Sequence, residues 1–364
     1  MPTTWSYVLE KPQQLRMHEF PVPEVGPDDA LLRVELAGIC GTDWKTFHGK
    51  APYALPLILG HEILGHIAES GEMFTARTGF TVGDRVTVGG SVPCWACPAC
   101  YRGEYRFCPR KHGYGTSTPC TTPPHLWGAF GEYLFLTRGA ILFGVAEDIP
   151  AEAAVLTQGV VSNGYRWAGE LGGVSPGDSV LVQGCGAQAI GCAAVAKERG
   201  AGLVIMTGLA RDAERLALAA DFGVDVTIDV SQEDLATRID ELTGHDGVDV
   251  VVDVSGSAHA FSTSIEACRR GGTLVLAGLA GEGVTAPVML DRLVWKEITL
   301  RGAFTRGGTA LAAAVAAVNN RRHPFERIVS HTFPLTEAEQ AIRSIGGETD
   351  GLYPTKAAIR PTTS

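Results

Sequence analysis

Two rhythms divide the chain. Through the first 150 residues, short apolar runs such as 31–36 and 85–88 alternate with breaks rich in Pro and Gly. Runs of that length, bounded by turn residues, predict the strands of an irregular, mostly β domain. From about Ser179 the pattern becomes apolar strand, loop and amphipathic helix, repeated. Strands are expected at 180–183, 203–207, 226–229, 248–254 and 273–277, with helices at 189–199, 212–222, 232–242 and 258–269. Near-continuous Val/Ile/Leu strands alternating with helices predict a parallel sheet covered on both faces. A sixth strand is expected at 298–301 and an Ala-rich helix at 309–319. Two more strands, 328–333 and 356–359, then return to the first domain.

Composition sharpens this picture in three ways. A length of 364 residues suffices for two domains, each with its own core. The 45 glycines are nearly double the usual share, which suits tight turns and close backbone approaches. A formal net charge of −10, with no basic block, argues against a nucleic-acid partner. The first residues lack the basic start and apolar core of a secretory leader, and no run is long and apolar enough to span a membrane. A cytoplasmic protein with no membrane partner is the expectation.

Nine cysteines remain to be explained: Cys40, Cys94, Cys97, Cys100, Cys108, Cys120, Cys185, Cys192 and Cys268. Cys94, Cys97, Cys100 and Cys108 crowd into one short segment, and four thiolates so spaced can close a tetrahedral shell around a structural zinc. A second motif, Gly184-Cys185-Gly186-Ala187-Gln188-Ala189, follows a buried strand and opens a helix. Gly184 allows the tight turn, Gly186 lets a pyrophosphate approach the backbone, and small Ala189 permits close helix–strand packing. Unpaired N–H groups at that helix start would receive the phosphates of a dinucleotide. A third, dispersed set is Gly38-Ile39-Cys40-Gly41-Thr42-Asp43 and Gly60-His61-Glu62-Ile63-Leu64-Gly65. Together these segments offer a thiolate, an imidazole and carboxylates able to orient them.

The order of these motifs, with Gly128-Ala129-Phe130-Gly131-Glu132-Tyr133 before the cofactor domain, resembles the medium-chain zinc-dependent alcohol dehydrogenases, nearest the sorbitol and threonine dehydrogenase-like branches. The resemblance implies a GroES-like β-rich catalytic domain at 1–160, a Rossmann domain at 161–305 and a return segment at 306–364. It implies a zinc-dependent alcohol dehydrogenase or carbonyl reductase that moves hydride between a secondary alcohol and NAD(P). Two zinc ions per chain are expected, with a homodimer or homotetramer as the assembly. Cys40 and His61 would be catalytic-zinc ligands, Glu62 a direct or supporting carboxylate, Asp43 the group orienting His61, and Thr42 the start of the proton relay. Lys356 matches the family's basic partner for Glu62.

Three departures from the family pattern stand out. Thr157, followed by Gln158, occupies the place of the usual third zinc ligand, and neither is a strong one; Glu62, Gln158 or water must complete the shell. Lys45 replaces the usual relay histidine, with His48 close by. At the end of the second cofactor-domain strand, Gly208 stands where an NAD-selective site has an acid, and Arg211 follows, which tilts the expectation toward NADP. Asp212 is the competing acid there. Trp44, Phe47, Tyr53, Trp127 and Phe304 are candidates for the substrate cleft or for core packing. A non-catalytic zinc- and cofactor-binding member of the same fold, and a zinc-free enone reductase, are the alternatives.

Overall fold

The computed structural model describes residues 2–361. The chain resolves into two compact units, Met1–Gln158 with Val315–Ser364, and Gly159–Ala314. The second crossing falls inside the helix Gly308–Asn319 rather than ahead of it at 305/306.

The first unit is built on a seven-stranded sheet. Its path runs Leu142–Gly144, Arg85–Val88, Glu62–Ser70, Ala30–Ile39, Ala357–Arg360 and His331–Pro334, with Tyr133–Leu136 also paired to Ala30–Ile39. A smaller sheet orders Gln14–Pro21, Thr3–Lys11 and Leu57–Ile58. Alternate side chains from both form one apolar core that includes Leu32, Ile39, Phe47, Phe74 and Phe130. The return segment lies in the interior of the large sheet, since Ala357–Arg360 pairs with Ala30–Ile39 on one side and His331–Pro334 on the other.

The second unit has six parallel strands, β1 (Ser179–Gln183), β2 (Leu203–Gly208), β3 (Val226–Asp229), β4 (Val248–Asp253), β5 (Cys268–Leu276) and β6 (Thr299–Gly302). Their order is β3-β2-β1-β4-β5-β6, with the reversal between β1 and β4. That is the doubly wound dinucleotide-binding arrangement. No helix among the described residues is long and apolar enough to cross a membrane.

Several boundaries differ from the sequence reading for local reasons. The strand expected at 328–333 begins at His331, because Phe325–Ile328 winds into a 3-10 turn after Pro324, whose ring fixes φ near the helical range. The helix expected from 232 starts at Leu235, where the Asp234 carboxylate accepts the Thr237 N–H at 2.8 Å and caps it. The helix expected to reach 269 ends at Ala267, and Cys268 already belongs to β5. Helical winding at Ala151–Ala154, Thr157–Val161 and Tyr165–Leu171, the last two with wide π-type turns, was not anticipated.

Candidate active site and metal centres

Register alone assembles the first site. Gly38 pairs with Glu62 and Ile39 with Ala357, so Cys40, His61 and Lys356, each one residue beyond a paired position, meet at one end of the sheet. Cys40 then serves as the N-cap of helix α1 (Gly41–Phe47). Its N–H donates to Asp43 Oδ2 at 2.8 Å, while Asp43 Oδ1 lies 3.3 Å from His61 Nδ1. One buried carboxylate therefore fixes both the start of α1 and the imidazole, leaving the other ring nitrogen for the site.

The Cys40 sulfur, a His61 nitrogen and a Glu62 oxygen all lie within 4.8 Å of one another. A thiolate, an imidazole and a carboxylate that converge so closely suit an open zinc site. Glu62 is also paired with Lys356, whose Nζ is 2.7 Å from Oε1 and 2.6 Å from Oε2, with both side chains buried. Gly38 makes room for this pair, because a Cβ there would stand 2.3 Å from Glu62 Oε2.

The charges of the cluster act strongly on one another. Burial works against the Cys40 thiolate, yet the hydrogen bond and charge of His61 bring its pKa below the ordinary thiol value. Burial likewise opposes charge on His61, but Asp43 and Cys40 raise it well above the usual imidazole value. Burial opposes charge on Lys356 too, and Glu62 outweighs it to raise that pKa.

Thr157 and Gln158 face other tasks. Thr157 Oγ1 donates to Ala154 O at 2.6 Å and lies 3.2 Å from Thr87 Oγ1. Gln158 Nε2 donates to the His61 carbonyl at 2.7 Å, which steadies the loop carrying the imidazole. Thr42 Oγ1 sits 3.8 Å from Cys40 Sγ, at the edge of the donor set. Lys45, half-buried on α1, has its pKa lowered by burial, with Lys50 adding repulsion against the pull of Cys40. His48 Nε2 lies 2.8 Å from Glu348 Oε1, which also accepts Trp44 Nε1 at 2.7 Å. Glu348 thus anchors α1 from a residue about 300 positions away, and no local sequence signal marks it.

Among the aromatic candidates, Phe47 and Trp127 are core. Trp44 is half-buried and Phe304 exposed. Tyr53 is half-buried near the site, where burial and then the charges of Asp43 and Cys40 raise its phenol pKa.

A second cluster lies in the cysteine lobe. Cys94, Cys97, Cys100 and Cys108 bring all four sulfurs within 4.8 Å of one another. Zinc–sulfur bonds of about 2.3 Å in a tetrahedron place sulfurs about 3.8 Å apart, so the set fits a closed four-thiolate site. The Ala96 N–H leads in bringing Cys94 down to about 6, and Arg110 Nη2, 3.3 Å from Cys94 Sγ, adds to it.

In the second unit, Gly184 has φ +106, a left-handed turn that favours glycine. Its N–H donates to Thr207 Oγ1 at 3.1 Å, and the Thr207 hydroxyl in turn donates to Gln183 Oε1 at 3.0 Å. Gly186 caps helix α2 (Ala187–Glu198), whose first turn holds Ala187, Gln188 and Ala189. The loop follows β1, beside the switch point between β1 and β4 where such folds bind dinucleotides.

These features define an alcohol dehydrogenase of two-domain, zinc-binding type. Residues 26–144 match the model of the alcohol dehydrogenase GroES-like domain, and residues 189–320 that of the zinc-binding dehydrogenase. A Mycobacterium tuberculosis protein named "Probable alcohol dehydrogenase" is 40% identical over 362 residues, covering 97% of each chain. An erythritol/L-threitol dehydrogenase of Mycolicibacterium smegmatis is 33% identical over 92% of each chain. The crystal structure of an alcohol dehydrogenase from Thermotoga maritima superposes with a TM-score of 0.90 at 25% identity over the full length of both chains. The chain belongs to the medium-chain zinc alcohol dehydrogenase family and is an oxidoreductase acting on CH–OH groups.

Proposed function

We propose that the protein oxidises a small-molecule alcohol, or reduces the matching carbonyl, with zinc held by Cys40, His61 and Glu62 and with NAD(P) on the Gly184–Ala189 loop. The convergence of those three donors beside Thr42 carries the reading. Bound there, zinc would supply Lewis-acid polarisation of the substrate oxygen. The chain's own residues do the rest. Asp43 holds the His61 ring in one orientation. Lys356 neutralises Glu62 when the carboxylate is not engaged elsewhere. Thr42 receives the alcohol proton through its hydroxyl, and Lys45, with its lowered pKa, accepts it further along α1. His48 is held by Glu348 and serves α1 rather than the relay. The four-cysteine lobe holds a second, structural zinc.

The cofactor reading leans toward NADP, since Gly208 removes the acid that selects for NAD and Arg211 stands exposed beside it. A second copy of the chain is the proposed partner. Edge strand β6 is exposed at all four residues, and Trp295, Val294 and Leu300 around it are 60%, 70% and 44% exposed. An exposed strand edge with exposed apolar side chains on and before it favours cover by a second strand.

The decisive experiment compares wild type with His61→Ala. Wild type is expected to contain two zinc per chain and to change absorbance at 340 nm with NADP and an alcohol drawn from polyols and apolar secondary alcohols. His61→Ala should lose turnover and one zinc while keeping nucleotide binding. Wild-type activity in that variant would refute the assignment.

A further inference from the structure

Gly208 ends β2, the position from which an acid reaches the ribose 2′-hydroxyl in NAD-selective folds. Its φ lies outside the left-handed region, so backbone freedom does not account for the glycine. Space does. A Cβ at 208 would stand 3.0 Å from Cys185 Sγ and 3.1 Å from each δ-methyl of Leu216. Carbon contacts settle at about 3.5–4.0 Å, so even a methyl group requires those neighbours to yield.

Cys185 is the residue between the two loop glycines, and it is buried. Burial first, and then the nearby Asp212 charge, push its thiol pKa up to about 12. Asp212 also accepts the Leu209 N–H at 3.1 Å and pairs with Arg215 at 3.1 Å, with its side chain only 8% exposed. The competing acid is therefore turned inward and engaged within its own turn. A carboxylate added at 208 would press on that sulfur and add a second negative charge to the buried corner that already feels Asp212.

We propose that Cys185 is a specificity-determining residue: its thiol, together with the Leu216 methyls, occupies the space a side chain at 208 needs, and so keeps carboxylates away from the ribose 2′ position. The inference rests on the reading of Gly184–Ala189 as the cofactor loop. It goes beyond the bare absence of an acid, because it makes the absence a consequence of packing from the neighbouring loop. The ligand favoured is a dinucleotide carrying a 2′-phosphate. Restoring NAD selectivity then takes two substitutions rather than one.

The test uses full-length wild type, Gly208→Asp, Cys185→Ala and the double variant. Each is titrated with NADPH and with NADH by fluorescence, and melted without nucleotide. Gly208→Asp alone should lower Tm and lose NADPH affinity without gaining NADH. The double variant should recover part of the Tm lost in Gly208→Asp and gain NADH affinity, with a coupling between the two positions of about tenfold. Gly208→Asp that keeps the wild-type Tm and switches fully to NADH would overturn the proposal. So would a double variant equal to the product of the single effects, or a wild type that binds NADH as tightly as NADPH. Wild type that binds neither dinucleotide would overturn the cofactor reading itself, and this proposal with it.

Discussion

Replacing Gly38 with Ala tests how tightly the Glu62–Lys356 pair is confined. The new Cβ would lie 2.3 Å from Glu62 Oε2, 3.0 Å from its Cβ and 3.2 Å from its Cδ. Relief to an ordinary contact of about 3.5 Å requires the carboxylate oxygen to move by more than about 1 Å. The carboxylate has little room to retreat, since Lys356 Nζ touches both oxygens and the side chain is buried. Overpacking of a core by one methyl costs about 1–3 kcal/mol. Weakening a buried ion pair adds to that, with complete loss of one partner costing about 3–5 kcal/mol. We expect a loss of about 2–4 kcal/mol, which for a unit of this size lowers Tm by about 5–10 °C. Calorimetry of the zinc-loaded proteins measures it, with Gly41→Ala as the reference. A Cβ at 41 meets nothing within 4 Å, so that variant should melt at or slightly above wild type. A Gly38→Ala protein that melts within about 1 °C of wild type would refute the confinement argument.

Three further outcomes are expected. Cys97→Ser should remove one zinc per chain by elemental analysis and cause aggregation on mild heating, because the lobe around it has only a small apolar cluster of its own; unchanged metal content would dismiss the structural site. Lys45→Met should reduce alcohol oxidation by about 10²-fold and remove the rise of rate with pH. The sign follows from the base role: a lysine whose pKa is lowered accepts a proton only above that pKa, so wild-type activity climbs as Lys45 deprotonates, at a pH below the ordinary lysine range. A Lys45→Met profile that overlays wild type would count against the relay. Leu300→Lys on β6 should shift light-scattering mass from dimer toward monomer, while a wild type already monomeric would dismiss the edge as an interface.

The features visible in the sequence are those whose cause is local. The parallel strands were legible because buried Val/Ile/Leu runs need no partner information to be recognised, as at 226–229, which the structure reproduces residue for residue. The four-cysteine lobe was legible because its donors sit within one loop. The Glu62–Lys356 pair spans 294 residues, and it was foreseen only through family likeness. Glu348 on Trp44 and His48, and Cys185 against Gly208, were not foreseen at all. Each depends on which strand end or helix start lies beside which, and a one-dimensional pattern carries no such distance. Ile328 misled for the opposite reason, since it fits the apolar start of a strand at 328–333 while Pro324 directs a turn through it.

The placement of Ala357–Arg360 has a consequence for synthesis. This strand lies between Ala30–Ile39 and His331–Pro334, and Lys356 just ahead of it neutralises Glu62. The catalytic sheet therefore cannot close until residues 357–360 have emerged from the ribosome. The nucleotide unit, whose six strands are complete by residue 302, has by then had time to fold. Until that moment Glu62 is a carboxylate without its counter-charge and Ala30–Ile39 lacks one neighbour. The nascent chain thus holds a finished cofactor module tethered to an unfinished reaction centre, and catalysis waits on residues 356–360.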